Sequence, residues 1–166
     1  MSQLQVAGFL EHSTVNGEGF RSVLFLSGCL HACPGCHNPE MQDFQYGDLV
    51  EDTNLLEAIL KNRPLIDGVT FSGGEPFEQS EALIPLATAI KEAGLNLWCY
   101  SGYTYEKLIE DPCKSKLLKL IDVLIDGPFI IAEQEEHLLY RCSRNQRIIH
   151  LQEGNILKLI ESDSPV

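Results

Sequence analysis

Four short apolar runs in this chain each stop at a glycine turn, and that repetition limits the possible folds more than any other feature. Residues 20–27 (FRSVLFLS) stop at Gly28, and residues 66–71 at Ser72-Gly73-Gly74. Residues 95–100 stop at Ser101-Gly102, and residues 123–125 at Asp126-Gly127-Pro128. Runs of this length, bounded by Gly and Pro, read as buried strands. Residues 147–151 (RIIHL) read as a fifth.

The intervals between these runs carry helical patterns. Thr53 is placed to cap a helix through LLEAILKN, with Leu56, Ile59 and Leu60 on one face. A second helix is expected over residues 80–93, stopped by Gly94, with Pro85 predicting a kink or a start near Ile84. Residues 105–109 and 115–120 also read as helical. Strands alternating with helices predict βαβ units and a mainly parallel sheet. A closed eight-stranded barrel takes about 250 residues. A chain of 166 residues therefore predicts an α/β fold in the form of a partial, open (βα) barrel. One domain is expected, with an N-terminal strand region over 1–19, a core over 20–151 and a tail over 152–166.

In parallel α/β sheets the C-terminal strand ends share one rim, and ligands bind there. The least ordinary residues of this sequence all follow a strand: a cysteine loop, Gly-Gly-Glu-Pro, Ser101-Gly102 and Asp126-Gly127. The rim is therefore the expected site.

Cys29, Cys33 and Cys36 lie in C-x3-C-x2-C spacing on one loop rich in Gly, Pro and Asn. Three thiolates can ligate three irons of a cubane and leave the fourth iron open, which suits a substrate-binding 4Fe–4S cluster. Two other readings fit the same spacing. One is a Cys3His zinc site completed by His31 or His37; the other is a four-cysteine electron-transfer cluster completed by Cys142. One β-α unit later, Gly73, Gly74, Glu75 and Pro76 form a plausible amino-acid cradle. The glycines allow close backbone approach, and Glu75 offers an acceptor for an ammonium group.

The formal charge is −12, with 24 acidic against 12 basic residues. Nucleic-acid binders draw much of their affinity from cationic contacts to phosphate, so no nucleic-acid partner is expected. No apolar run is long enough to span a membrane, and MSQLQVAGFLEHS lacks the basic start and cleavage site of a signal peptide. Clustered thiols without an export signal point to a cytoplasmic metal site, not disulfides.

The two loops together resemble the radical S-adenosylmethionine superfamily. TVNGEGFRSVLFLSGC (residues 14–29) is similar to the start of the glycyl-radical enzyme activases. CPGCHNPE, LWCYSGY, DVLIDGPF and RCSRNQ resemble the branch that activates anaerobic ribonucleotide reductase. The resemblance runs in family order from about Thr14 to His150.

The resemblance implies that the methionine amine and carboxylate of S-adenosylmethionine chelate the open iron, with Glu75 and the glycines near the amine. It implies that an electron from the cluster breaks the sulfonium S–C5′ bond. The 5′-deoxyadenosyl radical then takes a hydrogen from a glycine of the large reductase subunit. A low-potential donor such as flavodoxin or ferredoxin is the implied electron source. Another small radical enzyme, acting on a different glycyl-radical partner or on a nucleoside, is the alternative; a non-catalytic zinc module is a further one.

Three positions depart from the pattern. Many superfamily members carry an aromatic residue where Gly35 stands, which would pass the adenine contact to His37. Glu18 replaces a common proline, and Cys142 a common glycine. Asp126 and Ser101 are candidate cofactor contacts from the rim. Cys99 and Trp98 read as core, Cys113 as a loop thiol, and His12, His137 and His150 as surface or core histidines. Arg141, Asn145 and Gln146 form a polar cluster expected to order the end of the chain or to face a partner.

Overall fold

The structure, a computed structural model, describes residues 2–161. Its strands are β1 (Gln3–Ser13), β2 (Arg21–Leu26), β3 (Asp48–Glu51), β4 (Gly68–Gly73), β5 (Asn96–Tyr100), β6 (Val123–Asp126), β7 (Arg147–Gln152) and β8 (Asn155–Ile160). Its helices are α1 (Asp52–Lys61), α2 (Ser80–Glu92), α3 (Tyr105–Glu110) and α4 (Pro112–Leu118).

All eight strands join one sheet in the order β3-β1-β2-β4-β5-β6-β7-β8. The central pairs β2–β4, β4–β5 and β5–β6 are parallel. The pairs β1–β2, β1–β3, β6–β7 and β7–β8 are antiparallel. The expectation of a mainly parallel sheet is therefore corrected to a mixed one. Neighbouring strands β1 and β2, like β6–β7 and β7–β8, pair antiparallel and need no crossover helix. The sheet is open, with β3 and β8 at its edges.

Side chains alternate across the parallel strands, as the two-residue period of a strand requires. Leu97 and Cys99 of β5 and Leu124 of β6 pack on the helix side with Ile59 of α1 and with Leu83, Leu86 and Ile90 of α2. Trp98, Val123 and Ile125 face the other way and join Ile148 and Ile160. Cys99 and Trp98 are buried, as read from the sequence.

Helix ends differ from expectation in instructive ways. Helix α1 starts at Asp52, one residue before the expected cap Thr53, and buries Leu55 and Ile59 while Leu60 is exposed. Helix α2 runs through Pro85 from Ser80. Pro85 lies past the first turn and so forfeits the bond to the Glu81 carbonyl, and the buried stripe Leu83, Leu86, Ala87 and Ile90 holds the helix in place despite it. Helix α4 begins at Pro112 because the Asp111 side chain accepts hydrogen bonds from the N–H groups of Cys113 and Lys114, so Cys113 falls in its first turn. The last strand, β8, occupies part of the expected tail over 152–166, of which residues 162–166 lie outside the described residues.

At the N-terminal end of the parallel strands Arg21 is buried to 1% exposure. Its guanidinium donates to Thr70 Oγ1 and to the carbonyls of Val69 and Asn96, and lies over the Trp98 ring. Burial pulls its pKa down to about 10. The same guanidinium borders a solvent-open cavity with Glu18, Asp67, Asn96 and His150, at the end of the sheet away from the cysteine loop.

Candidate functional site

The cysteine loop leaves β2 through Ser27 and Gly28. Gly28 has φ +102°, which a side chain would strain. Its N–H donates to Met41 O at 2.8 Å, and Cys29 N–H donates to Gln42 O at 3.1 Å, so the loop is closed at its base by backbone. Inside it Cys36 N–H donates to Cys33 O at 3.1 Å, and Ala32 and Gly35 turn the chain with φ +50° and +76°. A Cβ on Gly35 would lie 2.7 Å from Ile131 Cδ1. The Ile131 methyl is the end of an exposed side chain and can move, so conformation is the stronger demand for glycine there.

The Gly-Gly-Glu-Pro turn at the end of β4 is stitched to the same base. Glu75 N–H donates to Gly28 O, and Gly74 N–H to Leu26 O, each at 2.8 Å. A Cβ on Gly74 would sit 2.5 Å from Met41 O and 2.7 Å from Gly28 O, and one on Gly73 would sit 2.4 Å from Leu26 O. These glycines therefore let the turn approach the chain's own backbone. The sequence alone does not separate this constraint from room for a ligand, since both call for glycine.

Cys29, Cys33 and Cys36 line one cavity, and Gly73, Gly74, Ser101 and His37 line it too. The cavity holds about 140 Å³ and opens to solvent, so it is smaller than the roughly 300–1,000 Å³ usual for small-molecule sites. His37 packs against Phe129 with ring centroids 4.8 Å apart. Burial pushes the Cys29 thiol up to about 11, and the Glu75 carboxylate and the other two thiols push it the same way. Among the described residues no three His, Cys, Asp or Glu side chains converge as the ligands of a single ion would. A cubane takes each thiolate on a different iron, so three thiols spread along one wall fit it. Cys142 lines a neighbouring cavity instead, between Thr14–Asn16 and Leu138–Arg141.

Glu75 stands behind the wall, with no exposed surface. Its Oε1 accepts from His31 Nε2 at 2.7 Å and Gly102 N–H at 2.7 Å; its Oε2 accepts from Phe77 N–H at 3.1 Å and Ser101 Oγ at 2.9 Å. Both oxygens are thus engaged within the protein. Pro76 starts the 3-10 turn Pro76–Gln79, which returns Phe77 N–H to that carboxylate. Asp126 is buried at 1% exposure, accepts from Tyr105 N–H and pairs with Arg147. The cavity is lined at that strand end by Gly127.

The site also draws on His31 and on the late polar cluster. His31, weighed as a zinc ligand, is the partner of Glu75 and meets the Tyr103 ring edge-on with centroids 4.4 Å apart. Gln146 lines the cavity, accepts from the N–H groups of Cys142 and Ser143, and donates to Gly127 O. Asn145 donates to Pro128 O at 2.7 Å. The late polar cluster therefore orders the segment that faces the cysteine loop. Phe129 follows the Asp-Gly-Pro turn, and its position one residue past a rim signal was the available clue.

Comparison with known proteins agrees with this geometry. A family model described as a 4Fe-4S single cluster domain matches residues 15–149. The anaerobic ribonucleoside-triphosphate reductase-activating protein of Haemophilus influenzae is 38% identical over 143 residues, covering 82% of this chain and 90% of that protein. The protein of the same name from Escherichia coli K12 is 32% identical over 145 residues (82% and 92%), and that of phage T4 is 34% identical over 143 residues (81% and 86%). Among solved structures, QueE from Escherichia coli aligns with a TM-score of 0.47 at 17% identity, over 61% of this chain and 53% of that one. With three thiols on one rim cavity, a cluster-domain match over most of its length and relatives aligned nearly end to end, the chain belongs to the anaerobic ribonucleoside-triphosphate reductase-activating proteins, a 4Fe-4S single-cluster family.

Proposed function

We propose that this protein is a radical S-adenosylmethionine activase that generates a glycyl radical on anaerobic ribonucleotide reductase. The observation that carries the reading is one cavity shared by Cys29, Cys33, Cys36 and the Gly73-Gly74 turn. When bound, the cluster supplies the electron for reductive cleavage of S-adenosylmethionine, whose product removes a hydrogen from the partner's glycine.

The chain's own residues do the rest. Cys29, Cys33 and Cys36 would hold the cluster by three of its irons, leaving the fourth available to the cofactor. Ser72, Gly73 and Gly74 form a wall of the cavity on which the amine would rest. Glu75, Pro76 and Ser101 keep that wall in place, with the Ser101 hydroxyl donating to the Glu75 carboxylate. His37 and Phe129 offer flat surfaces for adenine where Gly35 has none. Asp126, held by Arg147, fixes the end of β6 so that Gly127 can border the cavity.

The partner is the large reductase subunit, and the electron donor a low-potential protein such as flavodoxin or ferredoxin. No helix among the described residues is long and apolar enough to cross a membrane. The cytoplasm is the proposed setting, since it keeps cluster thiols reduced. The parallel strands β2, β4, β5 and β6 would form the arc of a partial barrel whose open side the reductase covers.

The test is anaerobic reconstitution followed by incubation with S-adenosylmethionine, a reductant and the reductase. A glycyl doublet in the EPR spectrum is expected, and 5′-deoxyadenosine release should couple to it. A reductase with its radical-site glycine changed to alanine should give no doublet. Turnover on a free nucleoside without any protein partner would overturn the reading.

A further inference from the structure

His31 sits between Cys29 and Cys33, yet its side chain is committed to another part of the fold. Its Nε2 lies 2.7 Å from Glu75 Oε1. A carboxylate only accepts, so that nitrogen carries the proton and donates. The same Oε1 accepts from Gly102 N–H at 2.7 Å. Three loops therefore meet at one buried oxygen: the cysteine loop, the Gly-Gly-Glu-Pro turn and the turn after β5. The fit on the third side is tight, because a Cβ on Gly102 would lie 2.4 Å from the His31 ring. Tyr103 closes the fourth side, edge-on at 4.4 Å.

Backbone hydrogen bonds tie the base of the cysteine loop, at Gly28 and Cys29. They do not fix how far its thiol-bearing part stands from the glycine-rich wall. We propose that His31 is a positioning residue that sets this separation, so that a methionine resting on the wall reaches the iron the three thiolates leave open. The proposal rests on the function proposed above. It gives a reason for a histidine inside the cysteine spacing other than metal ligation, since its Nε2 is already engaged. Small errors of placement are expensive in such a site: about 1 Å can cost a factor of roughly 100 in rate.

The test compares the anaerobically reconstituted wild type with His31→Ala, His31→Gln and Gly102→Ala. The readouts are iron content, the EPR spectrum of the reduced cluster, and equilibrium binding of S-adenosylmethionine. His31→Ala should keep the wild-type iron content and the wild-type spectrum without the cofactor. Its affinity for S-adenosylmethionine should fall at least about tenfold, the factor equivalent to about 1.4 kcal/mol, and the cofactor-induced spectral change should need correspondingly more ligand. His31→Gln, whose amide nitrogen can reach Glu75, should recover most of the affinity. Gly102→Ala displaces the ring from the opposite side while keeping every thiol, the carboxylate and the backbone N–H that bonds it, and should reproduce the loss even if His31→Ala folds poorly. Wild-type affinity in both His31→Ala and Gly102→Ala would overturn the proposal while leaving the function intact. Loss of iron in His31→Ala and His31→Gln alike, with normal binding in Gly102→Ala, would make His31 a ligand and overturn it too. A wild-type cluster indifferent to S-adenosylmethionine would remove the proposed function and this inference together.

Discussion

Replacing Glu75 with alanine separates two roles for the most buried carboxylate of the site. As a direct acceptor for the cofactor's ammonium group, its loss would weaken binding and leave the metal-free fold intact. The hydrogen bonds argue for a cost in the fold itself. Alanine at this position strands the N–H groups of Gly102 and Phe77, the Ser101 hydroxyl and the His31 Nε2–H. Each buried donor left without an acceptor costs about 1–3 kcal/mol. Removing one partner from a buried charged network costs roughly 3–5 kcal/mol in all. Set against a total stability of about 5–15 kcal/mol, that is a large share. At roughly 2–4 °C per kcal/mol for a chain of this size, it lowers Tm by about 10 °C. The assay is urea denaturation of the reduced, metal-free protein, followed by the fluorescence of Trp98, the single tryptophan, which is buried at 4% exposure. The midpoint should fall with an unchanged slope. Working without cofactor keeps ligand binding out of the comparison. Glu75→Ala protein that unfolds at the wild-type urea concentration would refute the argument and return Glu75 to the role of a ligand contact.

Two further outcomes can be checked alongside it. Cys29→Ala, Cys33→Ala and Cys36→Ala should each abolish cluster iron after anaerobic reconstitution, whereas Cys99→Ala, Cys113→Ala and Cys142→Ala should keep it; an empty Cys142→Ala site beside a filled Cys33→Ala site would reverse the ligand assignment. The hydrogen bond from Arg147 holds Glu106 below the usual carboxylate range, so its contribution is present above the unfolded value of about 4.3 and is lost as pH falls through the lower folded value. The urea midpoints of wild type and Glu106→Gln should therefore differ at neutral pH and converge in acid, and a gap that persists below both values would contradict this account.

The central strands and both loops of the site were legible because their signals are local. An apolar run followed by glycine marks a buried strand end wherever it occurs, and three cysteines within one loop need no tertiary information. The outer strands carry no such signal. Strand β3 is four residues long and largely exposed, and in β8 Ile156, Leu157 and Leu159 are all exposed. An edge strand with little burial has no alternation to read. The error over strand direction has another source: residues 147–151 are legible as a strand, but nothing local tells which way a strand runs beside its neighbour. Side-chain roles failed for a different reason. Glu75 and Asp126 were judged by their place after a strand, but their partners His31, Ser101, Gly102 and Arg147 lie far away in sequence. Which way a polar side chain turns is settled by those distant donors.

The closure of the cysteine loop by backbone bears on the order in which the protein is built. In small metal domains the ion must gather its own ligands, and folding waits for it. Here the Gly28–Met41 and Cys29–Gln42 hydrogen bonds join the two feet of the loop without any thiol taking part, and the Glu75–Gly28 bond anchors them to β4. For a loop of about a dozen residues the length-dependent part of the closure entropy is roughly 2 kcal/mol. The sheet meets that cost during folding, so it does not fall on iron binding. Chain first and cluster second is the assembly sequence this arrangement favours, with a loop already shut at its base when iron and sulfide arrive.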